Sequence, residues 1–230
     1  MAISRAKTWS NGEVLSHTDL NAEFDNIINN ATSLVSPLTG NLAAGGFNIT
    51  GLGTTTLGWN LIDTKTASAS ATIDFTSGLS TNYNNYAIKI SNLTPVTDNT
   101  TLYMRVSQST VFLSGATDYG WLAHAWGVIS IDQTSVSAST AQIAIAGGLI
   151  NTSGRVLEAT ITFGHPAETN GYKNFMHDST YSVTGTDELS RNVGVGRFQK
   201  NTTPIDGIRF LMSSGNISVG TFSLYGLRKV

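Results

Sequence analysis

Leu157-Glu158-Ala159-Thr160-Ile161-Thr162-Phe163 alternates apolar and polar side chains without a break. A period of two is what a strand needs to send one face into a core and the other into solvent; a helix would scatter the same apolar positions around its circumference. The spacing recurs in Leu102, Met104 and Val106, set against Tyr103, Arg105 and Ser107, and in Ile88 and Ile90 within 86–93. It returns at Val193 and Val195, at Ile208, Phe210 and Met212, and from Ile217 to Leu227. Turn formers separate these runs: Thr97-Asp98-Asn99-Thr100, Gly147-Gly148, Thr152-Ser153-Gly154, Thr169-Asn170-Gly171 and Ser213-Ser214-Gly215-Asn216. About eight to ten antiparallel strands with no helical period between them predict a mainly β chain, its domain 71–230 a two-layer antiparallel β-sandwich of jelly-roll type. No internal repeat appears, which disfavours a β-helix or propeller.

Toward the N-terminus the pattern changes. Ser16 or Thr18 can cap a helix, with Asp19 three residues after Ser16 in capping-box register. Leu20, Phe24, Ile27 and Ile28 follow at i, i+4, i+7 and i+8, opposite Asn21, Glu23, Asp25 and Asn26. This predicts a short helix over about 18–30, fading at Asn29-Asn30 ahead of Pro37. Next comes a glycine-rich tract, 38–53, in which Leu38, Leu42, Phe47, Ile49 and Leu52 are interleaved with Gly40, Gly45, Gly46, Gly51 and Gly53. So little neighbouring chain cannot bury these side chains, so other chains are expected to cover them. Residues 1–57 thus read as an attachment and oligomerisation segment, although the helix stripe could instead close on the C-terminal domain. Residues 58–70, rich in Thr and Ser with Trp59, Leu61 and Ile62 as the large apolar cluster, read as a connector.

Two stretches resemble known proteins. Lys7-Thr-Trp-Ser-Asn-Gly-Glu-Val-Leu15, Asp19-Leu-Asn-Ala-Glu-Phe24 and the 38–53 tract resemble the N-terminal regions of bacteriophage tail-fibre and related virion proteins, over residues 3–53. Ile73-Asp-Phe75, Tyr83-Asn-Asn-Tyr86, Ile88-Lys-Ile-Ser-Asn-Leu-Thr-Pro95, Leu102-Tyr-Met-Arg-Val-Ser107 and Gly220-Thr-Phe-Ser-Leu-Tyr-Gly-Leu227 resemble a domain found at the ends of phage fibre and other virion proteins, over roughly 70–230. The resemblance implies a lectin-like sandwich, a homotrimer, contact with other virion proteins through the N-terminal segment, and location in the virion after assembly in the host cytoplasm.

Composition narrows the classes further. Charged residues make up 12% of the chain, about half the usual quarter, and Thr, Ser, Asn and Gly fill the balance. A net charge of -2 without any Lys/Arg run leaves no field to collect phosphates, so nucleic acid is not an expected partner. There are no cysteines, hence no disulfide and no thiolate metal site. No leader-like apolar core and no long apolar run appear, so membrane insertion is not expected.

Asp118-Tyr-Gly-Trp-Leu-Ala-His-Ala-Trp126 is the leading ligand candidate. Flat rings pack on the C–H faces of sugars while polar neighbours bind hydroxyls, which selects Tyr119, Trp121, His124 and Trp126. Aromatics also fill sandwich cores, the competing reading for Trp121 and Trp126. A second polar-aromatic loop holds Tyr172, Asn174, His177, Asp178 and Tyr181. The four histidines are too scattered for a local metal signature, and neither metal nor cofactor is expected. No nucleophile elbow occurs, and Asp118, Asp132, Glu158, Asp178, Asp187 and Glu188 single out no carboxylate pair, so no catalytic residue is assigned. Gly194-Val195-Gly196 reads as a bend in a strand rather than a phosphate cradle. The function expected is a non-enzymatic phage virion protein, a homotrimeric tail fibre binding a host surface polysaccharide. The alternative is a capsid decoration, cement or head-fibre protein, with a glycan depolymerase third.

Overall fold

The computed structural model describes residues 8, 10–14, 16–34, 58–128, 133–185 and 188–228. The chain divides into two compact units, Met1–Thr55 and Thr56–Val230. In the first, helix α1 (His17–Leu34) begins where the capping pattern placed it. Ser16 Oγ accepts from the Asp19 N–H at 3.1 Å and donates to the Asp19 carboxylate at 3.0 Å, while the Leu20 N–H reaches the Ser16 carbonyl at 3.1 Å. The helix runs four residues past Asn30, further than the asparagines suggested, because Asn is a weak helix former rather than a stop. On the expected stripe Leu20 is half-buried and Phe24 exposed. The side chains of Ile27 and Ile28, and all of Leu38, Leu42, Phe47, Ile49 and Leu52, lie outside the described residues.

The second unit is an antiparallel β-sandwich. Its strands are β1 (Trp59–Ser70), β2 (Thr72–Phe75), β3 (Tyr83–Pro95), β4 (Thr100–Gln108), β5 (Val111–Phe112), β6 (Tyr119–Gly127) and β7 (Gln133–Thr140). They continue as β8 (Ile143–Leu149), β9 (Leu157–Gly164), β10 (Lys173–Val183), β11 (Glu188–Phe198), β12 (Gly207–Met212) and β13 (Ile217–Arg228). Eight of them pair first with last and inward: β1 with β13, β2 with β12, β3 with β9 and β4 with β8. The links β13–β3 and β12–β4 then gather these into two sheets, β1-β13-β3-β9 and β2-β12-β4-β8. A long ribbon folded back and wrapped in this way is a jelly roll.

Two insertions complete the domain. Strands β5, β6 and β7 lie between β4 and β8, and β10 and β11 between β9 and β12. Four of the five join one another, extending the first sheet past β9 as β10-β11-β6-β7. The two layers touch where Val183 of β10 pairs with Leu149 of β8, so the fold is nearly closed.

Alternation fills the space between the layers. Ile88, Leu102, Met104, Ile161, Ile208 and Phe210 are all fully buried. Phe210 of one sheet meets Phe222 of the other with ring centroids 5.2 Å apart. Tyr86, Phe163 and Phe175, adjacent in register across β3, β9 and β10, form an aromatic ladder spaced at 5.3 and 5.2 Å. Burying this apolar surface is the main stabilising term.

Three expectations are corrected. Residues 59–70 are not a connector but strand β1, laddered to β13 from Trp59↔Leu227 to Ser70↔Ile217. The strand escapes notice because it is an edge, with Ala67 its only fully buried residue. Gly147-Gly148 is no turn between elements but the end of β8. The segment around His177 is strand β10 rather than a loop.

Candidate functional site

The site builds up from register. On the outer face of the extended sheet, three cross-strand rows can be followed from the jelly roll into the insertions. The middle row runs Lys89, Thr160, Asp178, Val193, His124, Thr134 across β3, β9, β10, β11, β6 and β7. One side of it carries Glu158, Thr180, Arg191 and Trp126. The other carries Thr162, Met176, Val195, Leu122 and Val136. With neighbouring strands about 4.8 Å apart, five steps make a face on the order of 24 Å long.

The face is concave. A groove of about 690 Å³ lies over β3, β9, β10 and β11, lined by Lys89, Glu158, Thr160, Asp178 and Arg191 among others. A second, of about 480 Å³, lies over β10, β11, β6 and β7, with Leu122, Val136, Met176 and Val195 in its wall. Met176 lines both.

Hydrogen bonds hold the polar groove in one arrangement. Arg191 donates from Nε and Nη2 to the two oxygens of Asp178, at 2.9 and 2.5 Å. This fork lowers the Asp178 pKa, chiefly through its hydrogen bonds, and raises that of Arg191. Lys89 Nζ donates to Thr160 Oγ1 at 2.7 Å. Asn92 sits at φ +55°, in a bulge of β3 between Ile90 and Leu93, and its N–H donates to Glu158 Oε1 at 2.7 Å. Asn tolerates this left-handed conformation, so the bulge aims an amide at the carboxylate that the next strand presents. At the far side, Trp126 is 42% exposed and its ring lies 4.4 Å from that of His124. His124 Nδ1 is in turn 3.0 Å from Thr134 Oγ1. A flat aromatic surface therefore adjoins a row of fixed donors and acceptors.

The residues singled out from sequence fall into two groups. His124 and Trp126 belong to the outer face. Tyr172 is exposed beyond its edge, with the Arg197 guanidinium 5.4 Å from its ring centroid, and Asn174 lies nearby at the second groove. Tyr119, Trp121 and His177 point inward. Tyr119 is fully buried, its hydroxyl accepting from the Val106 N–H at 2.9 Å and donating to the Leu113 carbonyl at 3.0 Å, and burial raises its pKa. Trp121 packs against the core. His177 is 2% exposed and lies over Gly194, and neither ring nitrogen has a hydrogen-bond partner among the described residues. Burial lowers its pKa to about 4. Tyr181 is also buried.

Among the candidate carboxylates, Asp118 and Glu188 are buried, Glu158 and Asp178 face the groove, and Asp132 and Asp187 lie outside the described residues. No cluster able to hold a metal ion occurs among the described residues. Lys89, Thr160, Thr180, Arg191 and Met176 were not singled out from sequence. For Lys89 and Thr160 the signal was the outward half of the same alternation that revealed the core. Comparisons with protein-family models, curated proteins and solved structures returned no match to this chain.

Proposed function

We propose that the chain is a non-enzymatic, glycan-binding component of a bacteriophage virion, a homotrimeric tail fibre whose sandwich carries the host-recognition surface. The observation that carries the binding half of this reading is the outer face of β10, β11 and β6. There Trp126 offers a ring for sugar C–H faces, beside the fixed Asp178–Arg191 pair and the Thr160, Thr180 and Lys89 groups suited to hydroxyls. The virion half rests on the resemblance of residues 3–53 and 70–230 to phage fibre proteins. A trimer of weak sites gains avidity by roughly 10² to 10⁴ over a single site. Assembly would take place in the host cytoplasm, with the N-terminal segment contacting other virion proteins.

Hydrolysis is the less favoured use of the groove. Glu158 and Asp178, the two carboxylates that line it, are diagonal neighbours on β9 and β10, their backbones about 7 to 8 Å apart. Arg191 lowers the Asp178 pKa, which bars Asp178 from the general acid's role and leaves that role to Glu158, whose Oε1 is already taken by the Asn92 N–H. Capsid decoration draws support from the exposed apolar row Val136, Leu122, Val195 and Met176, which suits a protein surface.

The test has two arms. A printed array of bacterial surface polysaccharides, probed with the full chain and with Trp126→Ala, should show retention that the variant loses, and products released from a retained glycan would signal a depolymerase. Labelled protein located on virions by electron microscopy should decorate the tail. Label over the capsid would favour decoration instead.

A further inference from the structure

We infer that the groove is built for an extended glycan whose sugars carry methyl-bearing substituents, such as acetamido, O-acetyl or 6-deoxy groups, rather than for one bearing hydroxyls alone. The inference rests on the glycan-binding reading and specifies its ligand class. The outer face changes chemistry along its length. Over β3, β9 and β10 it presents Lys89, Glu158, Thr160 and Asp178, and over β11, β6 and β7 one full row is apolar. In that row Met176, Val195, Leu122 and Val136 are 63, 46, 45 and 69% exposed, although each is the direct cross-strand neighbour of the next.

Four large apolar side chains in one line are not the scattered exposure of an ordinary surface. Two observations favour a glycan over a protein as the occupant. The apolar groove shares Met176 with the polar one, and the two lie side by side along the sheet, so one extended chain can follow both. The apolar row is flanked on one side by Asn174 and Arg197 and on the other by His124 and Thr134, which leaves polar partners along both of its edges. The two cations of the polar half, Lys89 and Arg191, are matched by its two carboxylates, Glu158 and Asp178, so that half carries no net charge to select acidic sugars. Hydroxyls would bind along the polar rows while methyl groups settle against Val195, Leu122 and Met176.

The array is read as matched pairs: chitohexaose against cellohexaose, which share a backbone and differ in the acetamido group, and O-acetylated polysaccharides against the same material after mild alkaline deacetylation. The full chain should retain the methyl-bearing member of a pair at least tenfold better. Val195→Thr, a near-isosteric change on an exposed strand position, should erase that preference and bring the two members of a pair to equal retention. Equal retention within pairs, or a preference that survives Val195→Thr, would overturn the inference and leave glycan binding intact. No retention of any glycan would sink the glycan-binding reading and the inference with it. A fall in solution mass by light scattering for Val195→Thr would assign the apolar row to contact between copies of the chain, and so also overturn the inference.

Discussion

The inserted strands β10 and β11 continue one of the two sheets of the jelly roll, yet the side chains they bury differ in kind from those of the eight wrapped strands. Between the wrapped strands lie Ile88, Leu102, Met104, Ile161, Phe210 and Phe222. The inward side chains of β10 and β11 include His177, Ser179, Glu188, Ser190 and Asn192, all buried. Where the first set is secured by apolar burial, Ser179, Ser190 and Asn192 of the second make directed bonds beside the buried rings of Phe175, Tyr181 and Phe198. Asn192 Nδ2 donates to the Ile145 carbonyl at 2.9 Å, and Ser190 Oγ to the Trp126 carbonyl at 3.0 Å. Burial is non-directional, while hydrogen bonds fix angle and register, which suits strands whose outer face must hold a constellation of groups in place. On the proposed function, the inserted strands would carry recognition on their outer face.

Substitutions can break this comparison at several points. The largest effect belongs to the apolar half: Phe210→Ala should cost about 3 to 5 kcal/mol in urea unfolding, the penalty of emptying an aromatic site between two sheets. A loss near 1 kcal/mol would mean that the sheets are not tightly packed there.

His177 comes next, and its effect depends on pH. Its folded pKa of about 4 lies below the ordinary 6.5, so the unfolded chain takes up the proton first. The stability tied to neutral His177 is fully present above pH 6.5, shrinks as pH falls and is lost by about pH 4, a change of up to about 3 kcal/mol. Unfolding measured across that window should slope downward toward acid for the native chain and flatten in His177→Ala. Equal slopes would show that the imidazole is not desolvated.

Gly194→Ala should cost about 1 to 3 kcal/mol by thermal unfolding, since a Cβ there would meet His177 and come within 2.7 Å of the Leu122 carbonyl oxygen, a backbone atom. A neutral result would mean that β11 and β6 can part without penalty. The smallest effect is expected at Ser190→Ala, about 1 kcal/mol for one side-chain to backbone bond. If that loss matched Phe210→Ala, the division between apolar and hydrogen-bonded halves would be wrong.

The contrast also explains what was legible in the sequence. β9 announced itself because its inward residues are apolar and its outward ones polar, so period and chemistry agree. In β11 the two are inverted, with Ser190 and Asn192 inside and Val193 and Val195 outside. The period was visible, yet it labelled the wrong face as core. β7, Gln-Thr-Ser-Val-Ser-Ala-Ser-Thr, offers one large apolar residue, and that one points out. Parity carried more than was used. Trp121 and Trp126 are five residues apart, and an odd separation on one strand places them on opposite faces, one packed on the core and the other beside the groove. The jelly-roll wrapping was anticipated from strand number and turns, but the joining of two insertions into one continuous outer face depends on the β11–β6 ladder, which links residues more than sixty positions apart. No local pattern encodes that contact.

Glycan recognition through the face around Trp126 is the central claim, and Trp126→Ala measures it most directly, read on one sample by thermal unfolding and by retention on the polysaccharide array. An exposed strand position away from the core should shift stability by no more than about 0.5 kcal/mol. The account predicts a near-native melting curve with glycan retention lost. Undiminished retention by the folded variant would contradict it and move recognition away from this face.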